Sequence, residues 1–176
     1  PGTAQVQVTS QVNVADKLTI NGLEFQWVQP LDFLTKNIGI TGFGFNANAT
    51  VVDQTSKGAA TAFGVAPFTY NITGYYEKHG VMLRVSTTSR EGSQNSGAAQ
   101  NGIPAAALFG TDYTTYDFSS SFDLDKIFGL AGAPQLTVNV ANFTNATLRS
   151  YFQFENATFT QYKPGRQFLV GLRGTF

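Results

Sequence analysis

An all-β fold, an antiparallel up-and-down barrel that crosses a membrane with its strands, is predicted by three observations on this 176-residue sequence. Apolar and polar residues alternate with period two through roughly eight segments, with no long helical period between them. Charge is scarce: Asp, Glu, Lys and Arg make up 12% of the chain, and aromatics 14%, where average soluble proteins carry about 25% charged residues. The connections alternate between short turns and long loops, as they do in outer-membrane barrels.

The closing residues 166–176 show the pattern most plainly. Phe176, Gly174, Leu172, Val170 and Phe168 share one face, and Thr175, Arg173, Gly171, Leu169 and Gln167 the other. A last strand ending on Phe176, apolar on one side and mostly polar on the other, suits the closing of a membrane barrel, which shows hydrocarbon to lipid and polar groups to the lumen. A half-buried terminal strand in a soluble sheet alternates in the same way.

Taken from the start, residues 4–14 set Ala4, Val6, Val8, Val12 and Val14 against Gln5, Gln7, Thr9, Gln11 and Asn13, a first strand. Residues 17–28 form the second, with Leu23, Phe25 and Trp27 opposite Glu24 and Gln26. Trp27, just before a turn at Pro30, fits an interfacial aromatic girdle; a core Trp in a soluble sandwich is the other reading. Residues 29–39 are turn-like. Residues 40–52 set Phe43, Phe45, Ala47, Ala49 and Val51 against Gly42, Gly44, Asn46, Asn48 and Thr50, and residues 53–66 read as a flexible loop.

The most regular hairpin follows. Phe68, Tyr70, Ile72, Gly74 and Tyr76 alternate with Thr69, Asn71, Thr73 and Tyr75, the chain turns over 77–80, and Val81, Leu83 and Val85 alternate with Met82, Arg84 and Ser86. Residues 90–113 are expected to be the longest non-strand segment, with a single helical turn after Pro104. Loops of that length are usually functional or disordered. Residues 115–124 form a sixth strand, 125–134 a turn, 135–142 a seventh strand, and 143–165 a loop rich in Asn, Thr and aromatics before the terminal strand. Turns after strands two, four and six and loops after three, five and seven place both termini on the turn side, the periplasm in a barrel of this kind.

Composition excludes several functions. The formal net charge is zero, so the positive excess that nucleic-acid binding needs is absent. There are no cysteines, hence no disulfide framework, zinc cluster or thiol chemistry. No run approaches the ~18 apolar residues of a membrane helix, and no signal peptide opens the chain. The single histidine, His79, lies in a turn beside Glu77 and Lys78 without a second imidazole or thiol to build a metal site or a triad. No catalytic residue, metal site or cofactor is predicted, and enzyme function is not expected. The Asn-x-Thr triplets at Asn48, Asn71, Asn142, Asn145 and Asn156 match the glycosylation pattern, but three fall in or at the ends of strands, so coincidence is the better account.

Three stretches, NGLEFQWVQPLDFL (21–34), PFTYNITGYYEKHGVMLRV (67–85) and YKPGRQFLVGLRGTF (162–176), resemble in that order the last part of the β-barrel of TonB-dependent outer-membrane receptors of Gram-negative bacteria. The likeness is closest to a branch common in oligotrophic and plant-associated proteobacteria. It implies a 22-stranded barrel with a plugged lumen, of which residues 1–176 would be the carboxy-terminal third of one barrel domain, without the plug or the energy-coupling box that engages TonB. The start on Pro1 rather than Met agrees with a processed product or a piece of something longer. The implied partners are outer-membrane lipid, the remaining barrel and plug, the TonB complex through the missing part, and an extracellular small-molecule ligand. That ligand would be a scarce nutrient: a ferric siderophore, a cobalamin-like molecule or a saccharide, the branch leaning to the last.

Under that resemblance Glu24, Arg84, Asp117, Asp123 and Arg173, on the polar faces, would line the lumen and pair with the plug or guide substrate; pairing between neighbouring strands within the wall is the other account. Tyr151, Phe152, Phe154, Phe159 and Tyr162 of the last long loop would stack on a sugar or another ligand, or simply pack the loop. Two other architectures stay open. A self-contained eight-stranded barrel, structural or adhesive, would fill its interior with side chains, which Gly42, Gly44, Ser119, Ser121 and Gly171 are too small to do well. A soluble β-sandwich binding module would carry more charge on its polar faces.

Overall fold

Alternation turns into pairing wherever two alternating segments meet, and among the described residues eleven strands make nine such pairs. The computed structural model describes residues 16–57, 61–97 and 106–174. The strands are β1 (Leu18–Pro30), β2 (Phe43–Ser56), β3 (Phe68–Lys78), β4 (Val81–Arg90), β5 (Gln94–Ser96), β6 (Leu108–Gly110), β7 (Tyr113–Asp123), β8 (Gln135–Ala141), β9 (Leu148–Phe152), β10 (Thr158–Tyr162) and β11 (Gln167–Arg173). Helical turns are confined to α1 (Asp32–Thr35), a 3-10 turn (Lys36–Ile38) and α2 (Leu124–Phe128). Among the described residues no helix is long and apolar enough to cross a membrane. The expected strand at 4–14, the helical turn after Pro104 and the terminal Phe176 lie outside the described residues.

Seven strands form one antiparallel sheet in the order β1-β2-β3-β4-β7-β8-β11, which we call the wall. Apart from the two loop insertions this is chain order, the up-and-down meander that alternation predicts. Its register carries the apolar residues from strand to strand on one face: Leu23 opposite Val51, Ala47 opposite Ile72, Gly74 opposite Val85, Phe118 opposite Val140, Val138 opposite Val170. One-residue slips would turn each strand's apolar set to the other face, so this continuity is what pins the pairing.

Strand limits differ from expectation at several ends. β2 begins at Phe43 rather than residue 40 because Gly42, at φ 96°, turns the chain there and donates its N–H to Asp32 Oδ1 at 2.7 Å. It then runs on to Ser56, through residues expected to be loop, because residues 18–21 of β1 pair with them. Leu124 leaves the sixth expected strand and opens α2, where Asp123 accepts a hydrogen bond from the Lys126 N–H and so caps the helix. The β3–β4 hairpin closes on His79 and Gly80, at φ 51° and 80°. Two positive φ angles are what a two-residue turn needs to match the right-handed strand twist.

The two longest expected loops are not structureless. β5, β6, β9 and β10 form a second sheet of order β10-β9-β6-β5 at the loop end of the wall, so the non-strand assignments for 90–113 and 143–165 are corrected. Three- and five-residue runs are too short for period counting, and their strand character comes from pairing with distant chain, as Phe109 does with Tyr151.

Among the described residues no second layer covers either face of the wall. The buried apolar residues among those described are Ala66 and Ala106 alone, and Leu23, Leu172 and Phe168 are each about 70–80% exposed. Aromatics gather toward both ends of the apolar face: Trp27, Phe43, Phe45, Tyr76 and Phe122 near the turns, Phe68, Tyr70, Tyr116 and Phe168 near the loops, with Ala47, Ala49, Ile72, Val138 and Val170 between. Phe25 and Phe118 interrupt the order. Trp27 is half exposed and meets Phe45 edge to face at 5.1 Å, so a buried core indole is not what the fold builds. Ser120, 2% exposed in this face, donates its hydroxyl to the Val138 carbonyl at 2.9 Å, whereas the buried Thr87 Oγ1 on the same face has no hydrogen-bond partner among the described residues.

Candidate functional site

The polar face of the wall satisfies much of its own hydrogen bonding. Gln26, Asn48, Asn71 and Thr88 line up across four strands, and Asn71 Nδ2 donates to Thr88 Oγ1 at 2.7 Å. Thr73 and Ser86 share a hydroxyl hydrogen bond of 2.8 Å. Two of the Asn-x-Thr triplets, at Asn48 and Asn71, are therefore facing members of one polar ladder. Gly44 lies directly opposite Tyr75, whose ring packs where a Cβ on Gly44 would stand. The small residue leaves room for this close approach.

The five charged residues expected on this face do not converge on one site, and only Asp123 and Arg173 share a cleft. Glu24, exposed on the outer strand β1, lies opposite Thr50. Arg84 is 3.9 Å from Glu77, with both side chains about half exposed or more. Asp117 Oδ1 accepts the Asn142 N–H at 2.7 Å, a bond within the wall. At the turn end Asp123 is ion-paired with Lys126 at 3.0 Å, and a cleft of about 400 Å³ brings Asp123, Asp125 and Arg173 together. The carboxylate's hydrogen bond, followed by its charge, holds the Lys126 ammonium above its ordinary pKa. That contribution is complete below the unfolded value and is lost as pH rises through the raised one. His79 lines a separate 350 Å³ cleft with Glu77 and Lys126.

The loop end carries a cleft of about 520 Å³ between the second sheet and the rim of the wall. β9 alternates, so Arg149 and Tyr151 point to the face opposite Leu148, Ser150 and Phe152, and pairing brings Phe109 beside Tyr151 and Gln94 beside Phe109. The Phe109 and Tyr151 rings lie 5.6 Å apart and nearly parallel, and the Arg149 guanidinium stands 5.5 Å from the Tyr151 centroid. Arg149 is further held by donating Nη1 to the Glu155 carbonyl at 2.7 Å and to Thr158 Oγ1 at 3.2 Å. Glu91, Asp112 and Glu155 complete the charged lining.

Local bonds hold this cleft in shape. The Gln54 amide clasps Ala62 through both its oxygen and its nitrogen, at 3.0 and 3.3 Å. Gly92 donates to Asp112 Oδ1 at 2.7 Å, and the Thr111 N–H and hydroxyl both donate to the Arg149 carbonyl. At the base, buried Asn142, in the left-handed region at φ 52°, donates Nδ2 to Gly165 O at 2.9 Å and accepts the Ala146 N–H at 2.8 Å. The side chain thereby ties the end of β8 to residue 146 and to the connection before β11, while the Asn142 backbone N–H reaches Asp117 of β7.

Of the five loop aromatics expected to meet a ligand, only Tyr151 lines the cleft. Phe152 and Phe159 pack on each other at 4.7 Å, the loop-packing role, while Phe154 and Tyr162 are exposed outside it. Phe109, Arg149, Glu91, Asp112 and Glu155 escaped the sequence reading. The alternation of LRSYF and TFTQY was the available signal for the hairpin, whereas nothing local pointed to Phe109.

No family model, curated protein or solved structure matches the chain.

Proposed function

We propose that this chain is the carboxy-terminal part of the membrane wall of a TonB-dependent outer-membrane transporter, with the loop-end cleft facing outside the cell. The observation that carries the membrane part of this reading is the uncovered apolar face of the seven-stranded wall. Monomeric soluble proteins rarely expose contiguous apolar patches beyond a few hundred Å²; hydrocarbon covers such a face at no cost. The central strands, β3, β4 and β7, have 11, 10 and 11 residues, the span of about 9–11 that a tilted membrane strand needs. Aromatics toward both strand ends fit the two girdles of such barrels. The TonB part rests on the resemblance of 21–34, 67–85 and 162–176 to that family. In this reading the loops capture a scarce nutrient, and passage through the lumen follows when the inner-membrane motor displaces the plug.

A soluble sandwich has little support, since no second layer among the described residues covers the apolar face. A self-contained eight-stranded barrel differs from the transporter in mass. The test is the mass of the native polypeptide extracted from membranes, under native and then denaturing conditions. A mass several times 19.0 kDa supports the transporter, including a nicked one that separates only on denaturation. A single 19.0 kDa species in both overturns it in favour of the small barrel, and solubility without detergent overturns both.

A further inference from the structure

We propose that the turn end of the apolar face holds one net-anionic phospholipid, its phosphate at the Lys78 ammonium and an acyl chain in the groove that Gly74 leaves open. This rests on the membrane part of the reading above, not on its TonB part, and deepens it by naming which lipid is held and where.

Three cross-strand rows build the site. Phe45, Gly74 and Val85 stand opposite one another in β2, β3 and β4, and Phe43, Tyr76 and Leu83 form the next row toward the turns. Together with Leu31 they line a groove of about 420 Å³. Gly44, Tyr75 and Arg84, between the two rows, send their side chains to the polar face, so the groove is apolar. It is open because β3 carries glycine between Ile72 and Tyr76: a Cβ on Gly74 would meet nothing within 4 Å. Its aromatic sides are held by their neighbours, Phe43 by Tyr76 at 4.8 Å between centroids and Phe45 by Trp27 at 5.1 Å.

The third row carries the charge. Lys78 lies opposite Val81 on one side and donates from its ammonium to the Thr41 hydroxyl on the other. An ammonium has three N–H groups and no acceptor, and among the described residues no carboxylate comes within ion-pair distance of this one. Glu77 turns to the other face toward Arg84, and Asp32 accepts the Gly42 N–H. With a rise of ~3.3 Å per residue, Lys78 stands about 13 Å along the strand from the Gly74 opening. A free anion would leave the groove empty, and a neutral acyl chain would leave the cation unmatched. A lipid with an anionic head satisfies both, and the bilayer against this face supplies it.

The experiment places the native, detergent-extracted protein in vesicles of phosphatidylcholine and phosphatidylglycerol at fixed proportions, with brominated acyl chains on one lipid or the other. Bromine quenches indole on contact, and Trp27, the one tryptophan of the chain, packs on Phe45 of the groove. Its signal is the difference between the native protein and Trp27→Phe. Expected is a preference at Trp27 for phosphatidylglycerol of about fivefold, the ratio that one lysine gives at an anionic surface. Lys78→Arg keeps the preference. Lys78→Gln abolishes it by removing the charge, and Gly74→Leu abolishes it by filling the groove. Equal quenching by the two lipids in the native protein overturns the site and leaves the membrane reading standing. A preference that survives Gly74→Leu or Lys78→Gln also overturns the site, since Lys78 would then only be reaching for the interface as lysines do. Absence of quenching by either lipid overturns the site and the lipid-facing wall together.

Discussion

The wall and the loop-end sheet are both antiparallel, yet they are held by different forces. The wall has strands of up to 14 residues in continuous register and an apolar face that nothing in the described chain covers. Its stability therefore depends on the medium that meets that face. The loop-end sheet has strands of three to five residues and is fastened by polar hooks from Asn142, Arg149, Gln54 and Thr111 to backbone groups. Its stability is local. Under the proposed function the long strands suit a sheet that meets an apolar solvent, and the fixed side chains suit one that shapes a cleft.

Substitutions that separate the two faces of the wall have the largest expected effect. Ile72→Arg, mid-strand on the apolar face, is expected to cost about 2–4 kcal/mol in a urea titration of folding into phosphatidylcholine vesicles. Thr73→Arg, one residue on and facing the other way, is expected to stay within about 1 kcal/mol. Equal effects at the two positions would remove lipid from the apolar side. In the loop-end region Asn142→Ala deletes two side-chain hydrogen bonds and places alanine at positive φ, a local loss of about 2 kcal/mol. It should appear as faster amide exchange and protease nicking within residues 143–165, with β1 to β4 still protected. Loss of protection across the whole wall would show that the two regions are one cooperative unit.

Smaller effects sharpen the picture. Gly80→Ala strains the tight turn, where a Cβ would stand 2.8 Å from Lys126 Cβ, and is expected to cost about 1–2 kcal/mol, read as a lower midpoint in the same vesicle titration. Arg84→Ala removes a long, exposed ion pair with Glu77 and is expected to change stability by less than about 1 kcal/mol. A larger effect there would mean that Arg84 meets a partner beyond the described chain, such as a plug.

Much of the wall was legible in the residues, and the cleft was not. The second, third, fourth, fifth, sixth, seventh and eighth expected strands appear as β1, β2, β3, β4, β7, β8 and β11, because each alternates over enough residues for the period to stand out. Their ends were less legible. Residues 53–56 look like loop and become strand only because β1 reaches them. Tyr151 was expected at a ligand site and lines the cleft, but Phe159 and Phe152 turned to each other; aromatic content alone does not say which ring faces a cavity. Asp117 carries a charge on the expected face, yet its carboxylate is engaged by the Asn142 backbone, a contact that no spacing announces.

The sequence by itself determined which residues share a face of the wall and that the hairpin turns within 77–80, which the structure narrows to His79 and Gly80, since both follow from a period of two and from local backbone preference. Only the tertiary structure decided that four short runs form a second sheet, that Asn142 binds three segments together, and that Phe109 stands beside Tyr151 and Arg149. Those outcomes rest on pairing between residues far apart in the chain. Pairing of that kind is chosen by the summed fit of backbone hydrogen bonds and side-chain packing across strands, and no single segment carries its signature.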